Sequence, residues 1–552
     1  MNSPSLLASR GATLLLLFGC TSGAPGLPPA PASGPDLGFG APSPVVLDGI
    51  LDDWRDIPRL VEDDPAAGED PIIDLLALSA ADDPAWLYLQ LQVGGALNLQ
   101  SMPGTISLLV DVDGDPRTGA VMEEMEGVEF ALELSPRPDP AMQEYGAGFA
   151  VRLPDGTVRS PYDVAAAGLP THSAQGFEIR LSRTPRGGLP ALGPRLRLGM
   201  VARADAAGTS VEPGGPEVVD RLPVSAYVFS SAAGPDPFVA DLSVLAPPAP
   251  GAFRVATWNV GSETFLQAAF FARVLGAARP DVILLDEVYE EVSPEALQAF
   301  FLHPELDSLG EWYFVISRGG GRQKTVVAAR DRTIRQEPTM VEVTYPPGAL
   351  DALRRRTPER FHRALAYEAE VSLSATGAWV EVDPAGAPGR EALFVPVDLQ
   401  SGGWDGSPQD ALRLLQAETL LGHLRRVTAD GTPGVGPVPV VLAGDLNLVG
   451  GPGPLEILTG HPGSPFGPLV TADLPRLDEP TWATWRNEEQ ALFGPGRLDL
   501  TLYSRETLEQ VGGFVLGLDG LSDAQLAALG LGDLSLPMLS DHLPMIVDLR
   551  LR

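Results

Sequence analysis

The sequence has little cysteine, little lysine and no long hydrophobic run near its start. Among 552 residues there is one cysteine, Cys20, and one lysine, Lys324. A single cysteine excludes a disulfide within the chain, so each folded part must be held by its own hydrophobic core. The apolar run at residues 12–18 is far shorter than the roughly 20 residues that span a bilayer as a helix. It therefore cannot be a membrane-spanning segment.

Positive charge is also scarce. The chain carries 38 Lys+Arg against 72 Asp+Glu, which gives a formal net charge of -34. Such an acidic protein resists non-specific binding to nucleic acid unless its basic residues are gathered locally. A hydrophobic content of 44% with 20% charged residues is typical of a globular protein. At this length we expect two folded domains with flexible segments beside them.

The N-terminal segment has the layout of a secretory signal. Arg10 precedes the apolar run, and the run leads into Leu17-Phe18-Gly19-Cys20. This segment resembles a bacterial lipoprotein signal, which implies removal of residues 1–19 and lipidation of Cys20. Acyl chains on Cys20 would anchor the mature protein to a membrane. Because Thr21 follows the cysteine, the resemblance implies the bacterial outer membrane or cell surface as the location.

Two stretches rich in glycine, proline, alanine and serine divide the rest of the chain. Residues 20–43 have the composition of a flexible tether, and residues 231–251 interrupt every periodic pattern and are interpreted as a linker. They separate a first domain at residues 44–230 from a second at residues 252–552. Nothing in the sequence indicates a repeat or an oligomer.

The first domain is rich in strand patterns. Apolar and polar residues alternate in segments 86–93, 128–134 and 176–181, which predicts short strands separated by turns. We therefore expect an all-β sandwich of antiparallel sheets.

Three stretches of this domain, residues 47–54, 86–93 and 109–115, resemble the family 9 carbohydrate-binding sandwiches in their order. The resemblance implies a carbohydrate partner, and Trp54 or Trp86 could stack on a sugar or instead lie in the core. The acidic turn after the third stretch can offer oxygen ligands to Ca²⁺ and fits a solvated turn equally well. Its carboxylates are those of Asp111, Asp113 and Asp115.

In the second domain, several apolar strands end at polar residues. The stretch PVVLAGDLNL, residues 439–448, is an example in which four apolar residues lead into a carboxylate and an amide. Such recurrence brings polar groups together at one rim of a sheet and is hard to explain by packing alone. The polar residues at or beside these strand ends are Asn259, Glu287, Asp398, Asp445, Asn447, Asp499, Asp541 and His542.

The motifs WNV, LLDEV, GDLN, RLD and SDH occur in this order across residues 252–552. Together they resemble the endonuclease/exonuclease/phosphatase superfamily, which implies a four-layered α/β sandwich (DNase I-like) and hydrolysis of a phosphate-ester substrate. Such hydrolysis needs a hard cation to neutralise phosphoryl oxygens. By resemblance, Glu287 holds Mg²⁺ or Mn²⁺, with Asn259 and Asp541 close to the same ion.

The resemblance also assigns roles in the reaction. Asp445 would orient or deprotonate the attacking water, and Asn447 would donate its amide to the phosphate. His542 would stabilise the charge of the transition state as an imidazolium, with Asp499 holding its ring.

Two further residues complete the candidate site. Asp398 stands where the family usually has a histidine that assists at the phosphate. By this resemblance its carboxylate would lie close to the substrate phosphate, which is also negatively charged. The densest basic cluster in this domain includes Arg363, which could bind the substrate phosphate or lie in a solvated arginine-rich loop.

These features support two hypotheses. The first is a surface-anchored, metal-dependent phosphoesterase that acts on phosphodiester bonds, and the catalytic residues at the strand ends favour it. The second is a surface-binding lipoprotein that recognises carbohydrate and whose catalytic domain is weakened or inactive, which Asp398 favours. Nucleic acid, phospholipid head groups and sugar phosphates all remain open as substrates.

Overall fold

The computed structural model describes residues 45–63, 72–137, 145–204, 217–236, 238–261, 268–289, 291–357, 372–383, 390–429, 437–460, 463–489, 492–532 and 540–552. Cys20, the segments predicted as signal and tether, and Arg363 lie outside these residues.

The first domain consists of antiparallel strands in two main sheets, with a short hairpin beside them. One sheet has the order β1-β2-β3-β11-β10, and the other has the order β13-β12-β4-β7-β8-β9. The strands are β1 (Arg59–Glu62), β2 (Leu75–Asp82), β3 (Trp86–Leu97), β4 (Gly104–Asp111), β5 (Ala120–Met122), β6 (Met125–Val128), β7 (Phe130–Leu134), β8 (Phe149–Arg152), β9 (Val158–Arg159), β10 (Ala167–Leu169), β11 (Ala174–Ser182), β12 (Arg195–Ala204) and β13 (Glu217–Val228).

Both sheets of this domain contribute to one hydrophobic core. Leu89 and Leu91 of β3 lie in the same buried cluster as Leu108 and Val110 of β4. Alternate residues of each strand face this cluster, as expected for sheets that bury one face against each other. The arrangement is consistent with the predicted sandwich.

The two tryptophans of the first domain are both engaged by protein groups. Trp54 is 3% exposed, and its indole N–H donates to Glu178 at 2.9 Å. Trp86 donates to Asp236 at 2.6 Å and lies beneath the guanidinium of Arg180. Of the two alternatives for Trp54, the structure therefore shows a core position, because its ring is not accessible to a sugar.

The second domain contains two larger mixed sheets. Their orders are β16-β17-β15-β14-β26-β25 and β18-β20-β21-β22-β24-β23, and β19 pairs with β21. The strands are β14 (Ala252–Asn259), β15 (Val282–Tyr289), β16 (Trp312–Ile316), β17 (Gln323–Arg330), β18 (Ile334–Gln336), β19 (Ser374–Ala375), β20 (Ala378–Glu381), β21 (Glu391–Asp398), β22 (Val440–Asp445), β23 (Leu469–Thr471), β24 (Asp499–Ser504), β25 (Leu508–Val515) and β26 (Met545–Leu551). The α-helices are α1 (Ala268–Ala278), α2 (Pro294–Phe301), α3 (Pro304–Asp307), α4 (Ala349–Arg356), α5 (Pro408–Ala429), α6 (Gly453–Thr459) and α7 (Asp523–Ala528).

The two sheets of the second domain face each other, and helices cover them. Phe253 of β14 contacts Phe394 of β21 edge to face, with ring centroids 6.1 Å apart. Phe271 of α1 packs on Trp258 of β14, and Leu420 of α5 shares a buried cluster with strands β21 and β22. The layers therefore run helix, sheet, sheet, helix, which is the arrangement that the sequence predicts. Among the described residues, no helix is both long and apolar enough to cross a membrane.

The segment between the domains packs against both of them. Gly234 donates its N–H to Pro84 of the first domain at 2.9 Å. The guanidinium of Arg254, at the start of the second domain, donates to the carbonyls of Val244 and Ala246 at 2.9 Å each. Hydrogen bonds of this kind hold the segment against the folded parts on either side.

Candidate active site

The polar residues at the strand ends meet at one edge of the second domain. Strand β22 lies between β21, which is parallel to it, and β24, which is antiparallel to it. Their registers pair Asp398 with Asp445 and Asp445 with Asp499. Three carboxylates therefore stand side by side on three adjacent strands. Strands β21 and β22 are apolar before this point, whereas Asp499 begins β24 and the apolar residues of that strand follow it. These segments are apolar because both of their faces are buried.

Asp445 and Asn447 form the centre of the site. Asp445 is 2% exposed and accepts hydrogen bonds from the backbone N–H of Asn447 at 2.7 Å and from its side-chain amide at 2.8 Å. The same amide donates to the carbonyl of Leu399 at 2.8 Å. Asn447 has a left-handed backbone conformation, φ 47°, which asparagine tolerates better than most residues. In the structure, the amide of Asn447 thus holds Asp445, and its donation to a substrate phosphate stays a prediction.

His542 stands between two carboxylates. Its Nδ1 lies 2.8 Å from Asp499, and its Nε2 lies 3.7 Å from Asp445. Asp499 is fixed in turn by its own N–H, which donates to Thr484 at 3.0 Å. A carboxylate on one ring nitrogen fixes the orientation of the imidazole and favours its protonated form. The other nitrogen is directed toward Asp445.

Burial and charge shift the proton affinities of both groups. Burial, opposed by His542 and assisted by Asp499, raises the pKa of Asp445 to about 7. Burial acts to lower the pKa of His542, but Asp499 and Asp445 outweigh it, so the pKa lies well above its ordinary value. The two shifts have the same direction, so both groups hold a proton more strongly in the folded protein than their ordinary pKa values imply.

Asp286 belongs to the same buried group, although the sequence singled out its neighbour Glu287 instead. Asp286 is fully buried and accepts the backbone N–H of Asp445 at 3.1 Å. Burial, together with the charges of Asp499 and Asp445, raises the pKa of Asp286 well above its ordinary value. Its position before Glu287 at the end of an apolar strand is a signal that sequence reasoning could have used.

The residues predicted to hold a metal line the same cleft. Glu287 is half-buried, has a left-handed backbone with φ 50°, and accepts the side-chain amide of Asn259 at 3.2 Å. Asp541 is half-buried and accepts hydrogen bonds from Trp485 at 3.1 Å and Asn487 at 3.0 Å.

These donors fit a hard divalent cation. The carboxylates of Glu287 and Asp541 face an open cleft, and Mg²⁺ or Mn²⁺ binds one or two carboxylates while keeping several waters. The amide oxygen of Asn259 accepts the N–H of Gly261 at 3.1 Å, so this residue positions Glu287 in the structure. Asp445, Asp499 and His542 offer ligand atoms that all lie within 4.8 Å of one another.

Asp398 lies at the edge of this group. It is 6% exposed, and its Oδ1 is 3.4 Å from the side-chain amide of Asn447. It also borders a small cavity of about 90 Å³ that includes Arg322 and Gln323.

A cleft of about 930 Å³ contains the site, and both domains line it. One side, the candidate catalytic side, is lined by Glu287, Asp445, Asn447, Asp541 and His542. The other side includes residues of the first domain that the sequence did not indicate, because their role depends on how the domains dock. They are Asn98, Gln100, Ser101, Tyr145, Gly146, Ala147 and Thr171.

The acidic turn of the first domain is assembled differently from the prediction. Asp111 and Asp113 come within 4.8 Å of Glu129, whereas Asp115 pairs with Arg117 at 2.6 Å. Asp111 is itself paired with Arg197 at 2.6 Å. The carboxylates of this turn that lie close enough to share an ion are therefore those of Asp111, Asp113 and Glu129.

Comparison with known proteins gave one family and a set of similar folds. A model of the Endonuclease/Exonuclease/phosphatase family matches residues 256–542, which is more than half of the chain. No curated protein sequence matched.

Solved structures with a similar fold include the human nocturnin catalytic domain with bound sulfate, at 17% identity and a TM-score of 0.35, covering 55% of this chain and 97% of that one. An endonuclease/exonuclease/phosphatase protein from Bacteroides vulgatus is 12% identical with a TM-score of 0.34, covering 55% and 99%. Truncated TDP2 from Caenorhabditis elegans is 16% identical with a TM-score of 0.35, covering 54% and 98%.

Proposed function

Because the chain belongs to the endonuclease/exonuclease/phosphatase family and is a metal-dependent phosphoric ester hydrolase, we propose that it cleaves phosphodiester bonds with Asp445 and His542 as its proton-handling groups. The observation that supports these roles is the buried series Asp499, His542 and Asp445, with distances of 2.8 Å and 3.7 Å between neighbours. In this series the protonated ring of His542 lies beside the carboxylate of Asp445, and both groups line the cleft.

The proposed reaction divides the work between these two residues. Asp445 takes a proton from the water that attacks phosphorus, and a pKa of about 7 suits a general base near neutral pH. His542 donates from Nε2 to a phosphoryl oxygen as negative charge builds there, with Asp499 fixing its ring. Asn447 keeps Asp445 oriented. A bound Mg²⁺ or Mn²⁺ at Glu287 and Asp541 would supply positive charge that neutralises the phosphoryl oxygens.

The test uses hydrolysis of bis-p-nitrophenyl phosphate in the presence of Mg²⁺ or Mn²⁺. We expect Asp445→Asn and His542→Ala each to lower kcat by about 10²-fold or more, because each removes a group that acts on the transition state. Circular dichroism should show an unchanged fold. Asp351→Asn and His303→Ala, which lie outside the cleft, are matched controls that should keep wild-type rates. Activity near wild type in either site variant would remove that residue from the mechanism.

We also propose, from the sequence alone, that the enzyme is held at the outer membrane or cell surface by lipid on Cys20. The support is the Leu17-Phe18-Gly19-Cys20 motif after an apolar run too short to span a bilayer. In detergent fractionation, wild type should enter the membrane fraction and Cys20→Ser should not. If Cys20→Ser still partitions with the outer membrane, the anchor is not at this residue.

A further inference from the structure

The first domain is attached to the loop that carries Asn447. The side-chain amide of Asn98 donates to the carbonyls of Thr171 and Val449, at 2.7 Å each. Ser173 donates its backbone N–H to the carbonyl of Gly450 at 2.8 Å. Val449 and Gly450 follow Asn447 closely in the chain. The far wall of the cleft is thus hydrogen-bonded directly to the catalytic side.

Other contacts hold the same wall at separate points. Arg180 of the first domain pairs with Glu479 at 2.8 Å, and the arginine is almost fully buried. Phe149 donates its N–H to the carbonyl of Leu492 at 2.7 Å. Together these contacts hold the wall against the second domain at separate points.

This wall offers a flat aromatic surface and a hydrogen-bond acceptor. Tyr145 stacks on Trp404 across the domains, with centroids 4.5 Å apart and rings inclined by 17°. Gln100 is 9% exposed, lines the cleft, and its Oε1 has no hydrogen-bond partner among the described residues. A buried acceptor without a partner is costly, so a ligand that donates an O–H or N–H there gains affinity.

The charge of the cleft limits what can bind. None of the described residues that line it is lysine or arginine, whereas Glu287, Asp445 and Asp541 are acidic. A bound metal and protonated His542 can balance one phosphate group. Among the described residues, further phosphates, as in a nucleic acid or a polyphosphate, would meet negative charge without a compensating cation.

From these observations we propose that the first domain is a fixed specificity wall of the active site, and that it selects compact esters with one phosphate and an uncharged, ring-containing group that carries hydroxyl or N–H donors. The ring lies against the Tyr145 and Trp404 pair, and a donor on it bonds to Gln100. Sugars and nucleosides share this chemistry. The inference rests on the proposed phosphodiesterase function, and it deepens that function by naming a substrate class.

The test compares p-nitrophenyl phosphodiesters of thymidine, glucose and methanol, which share one leaving group. In each, water attacks phosphorus and the bond to the p-nitrophenolate oxygen breaks. We expect wild type to prefer the ring-containing diesters over the methyl diester by about tenfold in kcat/KM, since stacking on aromatic side chains contributes roughly 1–3 kcal/mol. The ratio of kcat/KM between the thymidine and glucose diesters shows whether the site prefers a nucleoside or a sugar as the ring-containing group.

Variants test whether residues of the specificity wall cause the preference for ring-containing diesters. Tyr145→Ala and Gln100→Met should each lower the ratio of kcat/KM between ring-containing and methyl diesters several-fold, mainly through KM. Tyr313→Ala, which replaces a tyrosine that is 46% exposed and does not line the cleft, is the matched control and should keep the ratio. A short DNA duplex and inositol hexakisphosphate should compete weakly.

Failure of this inference and failure of the proposed function give different results. Turnover of all three diesters at equal kcat/KM, an unchanged ratio in both wall variants, or strong competition by the duplex would each overturn the specificity wall while leaving hydrolysis intact. If no diester is hydrolysed, the proposed function fails. Calorimetry then tests the specificity wall independently by comparing the affinities of thymidine 5′-phosphate and methyl phosphate, in wild type and in Tyr145→Ala. Equal affinities of the two esters for wild type would contradict the specificity wall.

Discussion

At the scale of single residues, the site brings several carboxylic acids together in a space that admits little water. Asp286, Asp445 and Asp499 are all nearly or fully buried, and one cation, His542, lies among them. Like charges this close cannot all ionise in a medium of low dielectric constant. Burial, together with the charges of Asp499 and Asp445, raises the pKa of Asp286 well above its ordinary value, which reduces the negative charge in this space.

Asp398 adds one more carboxylate near the expected phosphate. Two unit charges about 4 Å apart repel by roughly 4 kcal/mol at an effective dielectric constant near 20. A second cation between Asp398 and the phosphate would offset this, as would a proton on Asp398. Of these we favour the second cation, because other carboxylates converge on the same rim.

The measurement is turnover against metal concentration for wild type, Asp398→Asn and Asp398→His. A second cation predicts two metal-binding phases in wild type and loss of the weaker phase in Asp398→Asn, with a several-fold fall in maximal rate. If Asp398→His instead raises activity with unchanged metal dependence, the second cation is wrong and the domain is a weakened member of its family.

At the scale of elements, Gly444 determines how closely strands β21 and β22 approach. Its φ is +143°, and an added Cβ would lie 2.0 Å from the carbonyl oxygen of Val397, its partner in the neighbouring strand. We expect Gly444→Ala to lower the free energy of unfolding by about 2 kcal/mol or more, since both the backbone and the contact oppose it. Activity should fall as well, because the next residue is Asp445.

Denaturant unfolding followed by tryptophan fluorescence measures this effect. Gly422→Ala in helix α5 is the control, because an added Cβ there meets nothing within 4 Å and should be neutral or slightly stabilising. A Gly444→Ala variant as stable as wild type would show that β21 and β22 can separate without cost.

The strands of the second domain could be predicted because each is a short apolar run with a polar end. The directions in which the side chains point could not be predicted from the sequence. Asp286 and Glu287 lie where the pairing of β15 with β17 is irregular, between Leu285 and Val288, so one turns inward and the other toward the cleft. The direction of the Asn447 amide depends on Leu399, which comes from another strand end. Such tertiary contacts leave no local pattern.

At the scale of the whole molecule, buried acids near the interface between the domains link stability to pH. Burial first, and then the charge of Asp48, raises the pKa of Glu178 to about 8, and burial raises that of Asp48 to about 7. Both acids ionise near pH 4 in the unfolded chain, so between about pH 4 and pH 8 the folded protein binds more protons. The free energy of unfolding therefore falls as pH rises across this window.

We expect the thermal midpoint to be several degrees higher at about pH 5.5 than at about pH 8.5. Asp48→Asn retains an oxygen for the N–H of Ile50 and should reduce this difference. Asp56→Asn, at an exposed position of the same segment, should leave it unchanged. A midpoint that rises with pH in wild type would contradict the assignment, and scanning calorimetry provides the measurement.

The contact between Leu47 and Thr481 limits the order in which parts of this protein can fold during synthesis. Leu47 pairs with Thr481, and its N–H and carbonyl bond to Pro480 and Trp482. Strand β26, at residues 545–551, lies between β14 and β25 in the interior of its sheet. A nascent chain can complete the first domain early, but its docking surface and a central strand arrive several hundred residues later. During synthesis the cleft therefore cannot form before strand β26 and the residues around Thr481 have emerged, so hydrolytic activity requires these two segments to be in place.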